Sequence, residues 1–159
     1  MSDLINDGMT RVYWVPSIAN INAPTVAELN AGQDFTPRIT PDGLKVDPST
    51  ADVDTSSLAS TFDTKTVGRI GYDNELTFKR GTTGAEDLPY TTLRYGVSGY
   101  LAIRRGVAYT TAWATSQKCE IYPTVCGEPQ NVAPAGNEVM KFVSPMKVTS
   151  APATAATVA

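Results

Sequence analysis

The chain has no histidine and only two cysteines in its 159 residues. Without imidazole, Ser-His-Asp and Cys-His catalysis, His-ligated zinc and a histidine pH switch are all excluded. Two thiols cannot complete a four-thiolate zinc site. Charge is also scarce: ionic residues make up 18% of the chain and the net charge is −3. That balance opposes a protein that grips nucleic acid by neutralising phosphates, while remaining compatible with indifference to DNA. Low charge fits either a surface covered by other subunits or a Thr-rich sheet surface. No apolar run is long enough to span a bilayer, and residues 1–9 lack the basic and apolar regions of a secretory signal. The chain is expected to be made and folded in a cytosol, with no membrane involvement.

Motifs for bound groups are missing as well. Gly81 to Gly84 is followed by Ala-Glu-Asp and lacks the Lys-Ser/Thr of a phosphate-binding loop. Asp52-Val-Asp54 starts like a calcium loop, but Ser57 stands where the sharp turn needs Gly and Asp63 where a bidentate Glu is usual. No spacing marks a catalytic carboxylate pair. Neither an enzyme nor a cofactor is expected.

What is present is strand pattern. Residues 100–105 place Leu101 and Ile103 on one face and Tyr100 and Ala102 on the other, so both faces are apolar until Arg104 and Arg105. This reads as a strand buried on both sides. Residues 76–80 end similarly, with Leu76 and Phe78 inward, and read as a neighbouring strand. Residues 10–16 put Val12 and Trp14 against Tyr13 and Val15 on opposite faces, and Pro16 ends the strand. Further strands are expected at 58–62, 65–71, 107–114, 117–125 and 137–148, with a turn at 72–75.

Two helix signals interrupt these strands. Thr25 and Glu28 form a capping box with Gly32 at C′, Val26 and Leu29 being the packing residues. Asp87 suits an N-cap, Pro89 a first turn and Gly96 the position beyond the end; Leu88, Thr92 and Tyr95 would share a face, flanked by Leu93. Cys119 and Cys126, seven apart, face opposite sides of a continuous strand and are expected to be buried reduced thiols. A disulfide would need a turn between them, which Pro123 permits.

Prolines 37, 41 and 48 and scattered aspartates mark residues 40–57 as a long loop with at most a short strand near 44–46. A connection of that length is usually functional or disordered. The organisation expected is an arm at 1–9, one β domain at 10–148 and a flexible Ala/Thr-rich tail at 149–159. The fold class is all-β: two packed antiparallel sheets, sandwich or barrel, with one or two short flanking helices.

The succession Thr10-Arg-Val-Tyr-Trp-Val-Pro16, Ala23-Pro-Thr-Val-Ala-Glu-Leu-Asn-Ala-Gly32, Phe35-Thr-Pro-Arg-Ile39, Gly99-Tyr-Leu-Ala-Ile-Arg-Arg-Gly106 and Asn137-Glu-Val-Met-Lys-Phe142 resembles the major tail tube proteins of long-tailed, siphovirus-type phages of actinobacteria. The resemblance runs from about Thr10 to Val148. It implies two packed antiparallel sheets with a flanking helix, and rings of six subunits whose inner sheets join into one barrel around a lumen. Stacked rings form a hollow tube in the virion tail, assembled in the host cytoplasm, through which double-stranded DNA passes without sequence-specific contact. Implied partners are the chain itself and other tail proteins, such as the tape measure, tail terminator and distal tail proteins. A tail terminator, a capsid decoration protein or a glycan-binding β-sandwich are the alternatives.

On that reading the loop, with Asp42, Lys45, Asp47, Asp52 and Asp54, is the contact between rings. Asp63, Asp73, Glu75 and Glu120 are candidates to face an acidic lumen that repels phosphate. Lys79, Arg80, Arg104 and Arg105 are candidate contacts between subunits, although a basic pair at a strand end also fits internal salt bridges.

Overall fold

The structure is a computed structural model that describes residues 2–159; Met1, the first residue of the expected arm, lies outside the described residues. Among the described residues, nine strands join in one hydrogen-bonded antiparallel sheet. They are β1 (Thr10–Val15), β2 (Gln33–Asp34), β3 (Ile39–Asp54), β4 (Lys65–Lys79), β5 (Ser98–Arg105), β6 (Lys118–Cys126), β7 (Gln130–Asn131), β8 (Lys141–Val148) and β9 (Ala153–Thr157). Their order is β2-β1-β5-β6-β8-β4-β3, with β7 on β8 and β9 on β6.

β6 and β8 touch at only three positions, Thr124↔Val148, Val125↔Lys147 and Cys126↔Met146. The sheet turns over at this corner, so that β8, β4 and the base of β3 form a second layer facing β1, β5 and β6. Between the layers lies the main core, with Val12, Trp14, Leu101, Ile103 and Tyr122 from one side and Leu76, Phe78, Phe142 and Met146 from the other. Phe35 meets Phe78 edge-on at 5.6 Å, and Tyr72 meets Tyr122 at 5.5 Å, tying the layers together.

The alternation in β1 and β5 is realised as expected. Val12 and Trp14 enter the main core, whereas Tyr13, Val15, Tyr100 and Ala102 pack in a second cluster on the outer face. β5 is central, paired to β1 and β6. β4 shares the sheet with β5 but is not its neighbour, because β6 and β8 lie between them. Gly99 admits the Trp14 indole: a Cβ there would sit 2.6 Å from Trp14 Cζ2. Gly99→Ala is expected to cost about 1–3 kcal/mol through overpacking, read as a lowered midpoint in urea unfolding with an unchanged slope.

Helix α1 (Val26–Asn30) has the full Thr25–Glu28 capping box, and Leu29 is completely buried beneath it. Helix α2 (Leu88–Thr92) begins after Asp87, but the Asp87 side chain does not cap it. Its carboxylate instead takes two hydrogen bonds from Arg80, at 2.7 and 2.9 Å. The buried side of this helix is Pro89 and Leu93, while Leu88 and Tyr95 point to solvent. Five residues with a proline at the start make too short a helix to fix a four-residue periodicity, so the Leu88–Tyr95 face did not form.

Several expected elements are corrected; the turn expected at 72–75 is part of the continuous strand β4. Residues 58–62 form turns rather than a strand. Residues 107–114 are also turns, because their carbonyls are gathered by Arg104 instead of by a strand partner. The Ala/Thr tail is not a free end: β9 pairs with β6, and Ala153, Ala156 and Val158 are buried. The Val158 amide donates to Gln117 O, the Thr157 amide to Asn22 O and the Ala159 amide to Pro24 O. Small side chains let this backbone lie close against α1 and β6, so pairing rather than bulk holds it. The strand expected at 137–148 begins only at Lys141, with residues 137–140 in a turn region before it.

Cys119 and Cys126 are free and buried on one continuous strand, in the outer cluster and the main core respectively. Burial pushes both thiols up to about 11.

Candidate assembly interface

Of the loop expected at 40–57, residues 40–54 are strand and only 55–57 lie in the connection at the hairpin tip. β3 and β4 make a hairpin with register from Ile39↔Phe78 to Asp54↔Lys65. Pro41 and Pro48 are tolerated because β3 is the last strand of the sheet, where a missing N–H interrupts no ladder on the open side. The irregularity between Ile39 and Leu44 absorbs Pro41 and Gly43. A Cβ on Gly43 would collide with Thr40 Oγ1 and the Thr77 carbonyl.

The base of the hairpin is part of the core, with Leu76 and Phe78 buried and Leu44, Val46 and Tyr72 packed against them. Beyond Asp47 and Asp73 it projects as a two-stranded arm with almost every residue exposed. A lone hairpin is at best marginally stable in water, and this one extends past the layer that would support it.

Cross-strand partners share a face, which gives the arm two unlike sides. The side continuous with the core runs outward through Pro48 and Tyr72, Thr50 and Ile70, and Asp52 and Val67. Ile70 and Val67 remain 65% and 77% exposed on it. The opposite side carries Lys45, Asp47, Asp73 and Glu75. Lys45 Nζ reaches Asp73 at 3.2 Å, and that hydrogen bond raises the lysine's affinity for its proton. Lys65 pairs with Asp52 at 3.8 Å. Exposed pairs of this kind contribute little to stability.

The arm closes through polar contacts. The Thr55 amide donates to Thr64 O at 2.9 Å, and the two threonine hydroxyls bond at 2.8 Å. The Ser56 amide donates to Asp54 Oδ1, holding that carboxyl below its ordinary range. Leu58 and Phe62 stand out from this tip, Phe62 at 79% exposure and Leu58 fully open.

The sequence-derived residues therefore separate. Asp47, Asp52 and Asp54 lie on the arm, Lys45 at its base and Asp42 in the irregular stretch below, where it accepts from Thr40 Oγ1. Of the lumen candidates, Asp73 and Glu75 share the acidic side and Asp63 is at the tip. Glu120 is elsewhere, on β6, bound by Arg105 Nε at 2.6 Å and by the Tyr122 hydroxyl at 2.7 Å.

The basic candidates are largely used within the chain. Arg104 is fully buried and is corrected from a contact residue to an internal one. It donates to the carbonyls of Ala108, Thr111 and Ala112 and to Gln117 Oε1, and its guanidinium lies 5.1 Å from the Trp113 ring centroid. Burial lowers its pKa, with the nearby Arg11 charge adding to the effect. Arg80 binds Asp87 and lies 3.6 Å from the Tyr90 ring centroid. Lys79 sits half-buried opposite Lys141.

The Arg80 hydrogen bonds hold the Asp87 carboxyl below its ordinary 3.8, so the pair stabilises the fold above that pH and loses its contribution as pH falls through the folded value. Asp87→Asn is expected to flatten the acid limb of the stability–pH curve below about pH 4; a limb identical to that of the parent chain would remove the pair from the account.

Comparison with known proteins bears on what such an arm serves. The family model described as phage tail tube protein matches residues 1–159, the whole chain. The chain belongs to the phage tail tube protein family. As a member it is a structural component of a virion tail, assembling with itself and with other tail proteins. Among solved structures, the tail tube chain resembles one in the cryo-EM structure of the anti-feeding prophage baseplate, 6-fold symmetrised, at 13% identity and a TM-score of 0.53. The match covers 94% of this chain and 95% of that one, and at this identity it supports the shared fold. No curated protein matched the sequence. No helix among the described residues is long and apolar enough to cross a membrane.

Proposed function

We propose that the chain forms six-membered rings that stack, through the β3–β4 arm, into the hollow tube of a siphovirus-type phage of actinobacteria. The observation that carries this is the arm itself: an amphipathic hairpin with apolar residues exposed beyond its own core and no partner among the described residues. A patch of this kind that meets a different surface on an identical copy generates an open filament rather than a closed dimer. Six repeats of one modest contact at each ring junction add up to a firm joint.

The 6-fold symmetrised baseplate that shares the fold supports a ring of six. Asp47, Asp73 and Glu75, on the arm's polar side, are the groups proposed to face a lumen. There they would repel phosphate and let double-stranded DNA slide during ejection. Glu120 lies on β6, away from this side of the arm, and is bound by Arg105; Asp73 is likewise paired, with Lys45, which leaves Asp47 and Glu75 as the uncompensated acids of that side among the described residues. The tape measure, tail terminator and distal tail proteins are the proposed partners at the tube's interior and ends, and assembly would take place in the host cytoplasm.

Negative-stain microscopy of concentrated purified protein tests this reading. Long hollow tubes are expected. Single closed rings would favour a terminator, and isolated small particles at every concentration would favour a decoration or glycan-binding protein.

A further inference from the structure

A cleft of about 520 Å³ opens beside the base of the arm, between β1 and the irregular start of β3. Its walls include Val12, Ile39, Pro41 and Leu44, with Tyr109 and Arg105 also lining it. Cavities of roughly 300–1,000 Å³ are the size that receives an inserted group. The same molecule carries a matching insert at the far end of the arm, where Leu58 and Phe62 are exposed and Asp63 follows directly. The Arg105 side chain is half exposed, so it can meet Asp63 while keeping Glu120 on Nε.

We propose that this cleft in one copy is the receptor for the Leu58–Phe62 tip of the next copy. The proposal rests on the stacking function above and names the surface that stacking uses. A tip cannot enter its own cleft. From Leu44, in the cleft wall, to Asp54 the strand climbs ten residues at ~3.4 Å each, roughly 34 Å, and the arm leads away. A second copy displaced along the arm by about its own length brings its cleft to the tip. The contact therefore sets an axial repeat of roughly 35–40 Å. Apolar side chains and the Asp63–Arg105 attraction both favour the same insertion.

Cross-linking tests the pairing. Ala59→Cys, beside the insert at the tip, and Asp42→Cys are placed in separate chains, mixed, assembled and treated with a short bis-maleimide. Both positions are exposed and Asp42 lines the cleft, while the native thiols are buried and protonated at neutral pH. The mixture is expected to give a cross-linked dimer that neither chain gives alone. The double variant Leu58→Ser/Phe62→Ser, which removes the insert without touching the core, is expected to raise the assembly concentration at least about tenfold. Tubes that form without a cross-link between the two introduced thiols, or with a repeat below about 25 Å, would overturn the receptor assignment, leaving the cleft to another segment or tail protein, and would leave the tube function standing. A parent chain that never assembles defeats both.

Discussion

A chain in which residues 47–73 are replaced by Asn-Gly is expected to fold normally and to form no tubes. Val46 and Asn74 lie directly opposite each other, so a two-residue type I′ turn can close the shortened hairpin in register. Nothing in the main core is removed except the Tyr72 contact with Tyr122, because Leu44, Leu76 and Phe78 all lie below the cut. Circular dichroism and thermal unfolding are expected to remain cooperative, with a midpoint within a few degrees of the parent. Microscopy is expected to show no filament at any concentration. The cut must be placed there: deleting residues 41–55 instead, as a loop reading of the sequence would suggest, removes Leu44 from its pairing with Leu76 and opens the core. Normal tubes from the 47–73 replacement would eliminate the arm as the stacking element.

The second large effect is expected from Arg104→Ala. Four hydrogen bonds from one buried guanidinium hold residues 108–117 against the outer face of β5. Hydrogen bonds to a charged group contribute about 1.5–3 kcal/mol each at most, and carbonyls left without a donor in a buried site carry a desolvation cost. Because the released segment can reach solvent, part of that cost is recovered, and a net loss of about 3–4 kcal/mol is expected in urea unfolding. Trp113 should become solvent-exposed, seen as a red shift of its emission, and the segment should become the first site of proteolysis. Arg104→Lys should recover little, since one ammonium cannot replace the planar fork that reaches four acceptors. A loss below about 1 kcal/mol would mean that the segment is held by other contacts.

What could be read from the sequence followed burial. Val12 and Trp14 against Tyr13 and Val15, the doubly apolar run at 100–103 and the Thr25–Glu28 box announce themselves because each sits where core and solvent impose a period. On the arm the apolar residues Ile70 and Val67 are exposed and lie opposite Thr50 and Asp52, so burial imposes no clear period on β3, and Pro41 and Pro48 disguise it further as a loop. The β4 half was legible in part as the strand expected at 65–71, whereas β3 offered only Val46 and Val53 amid Thr and Asp. The tail was missed because Ala153 and Ala156 pack through closeness rather than size. Arg104 looked like half of an exposed basic pair. Its parity gave it away, since it continues the Tyr100–Ala102 face, which packs in the outer cluster. Of the acidic candidates, Asp73 and Glu75 come together because both lie on one side of β4, whereas no local signal linked Glu120 to Arg105, its partner from the adjacent strand.

Amide hydrogen exchange measured on dilute monomer and on assembled tubes tests most directly whether the arm is completed by another copy. Residues 47–73 are expected to exchange rapidly in the monomer and to become protected on assembly, together with the cleft segments near Val12 and Leu44. Protection that is already present in the monomer, or an arm that stays unprotected in intact tubes, would contradict it.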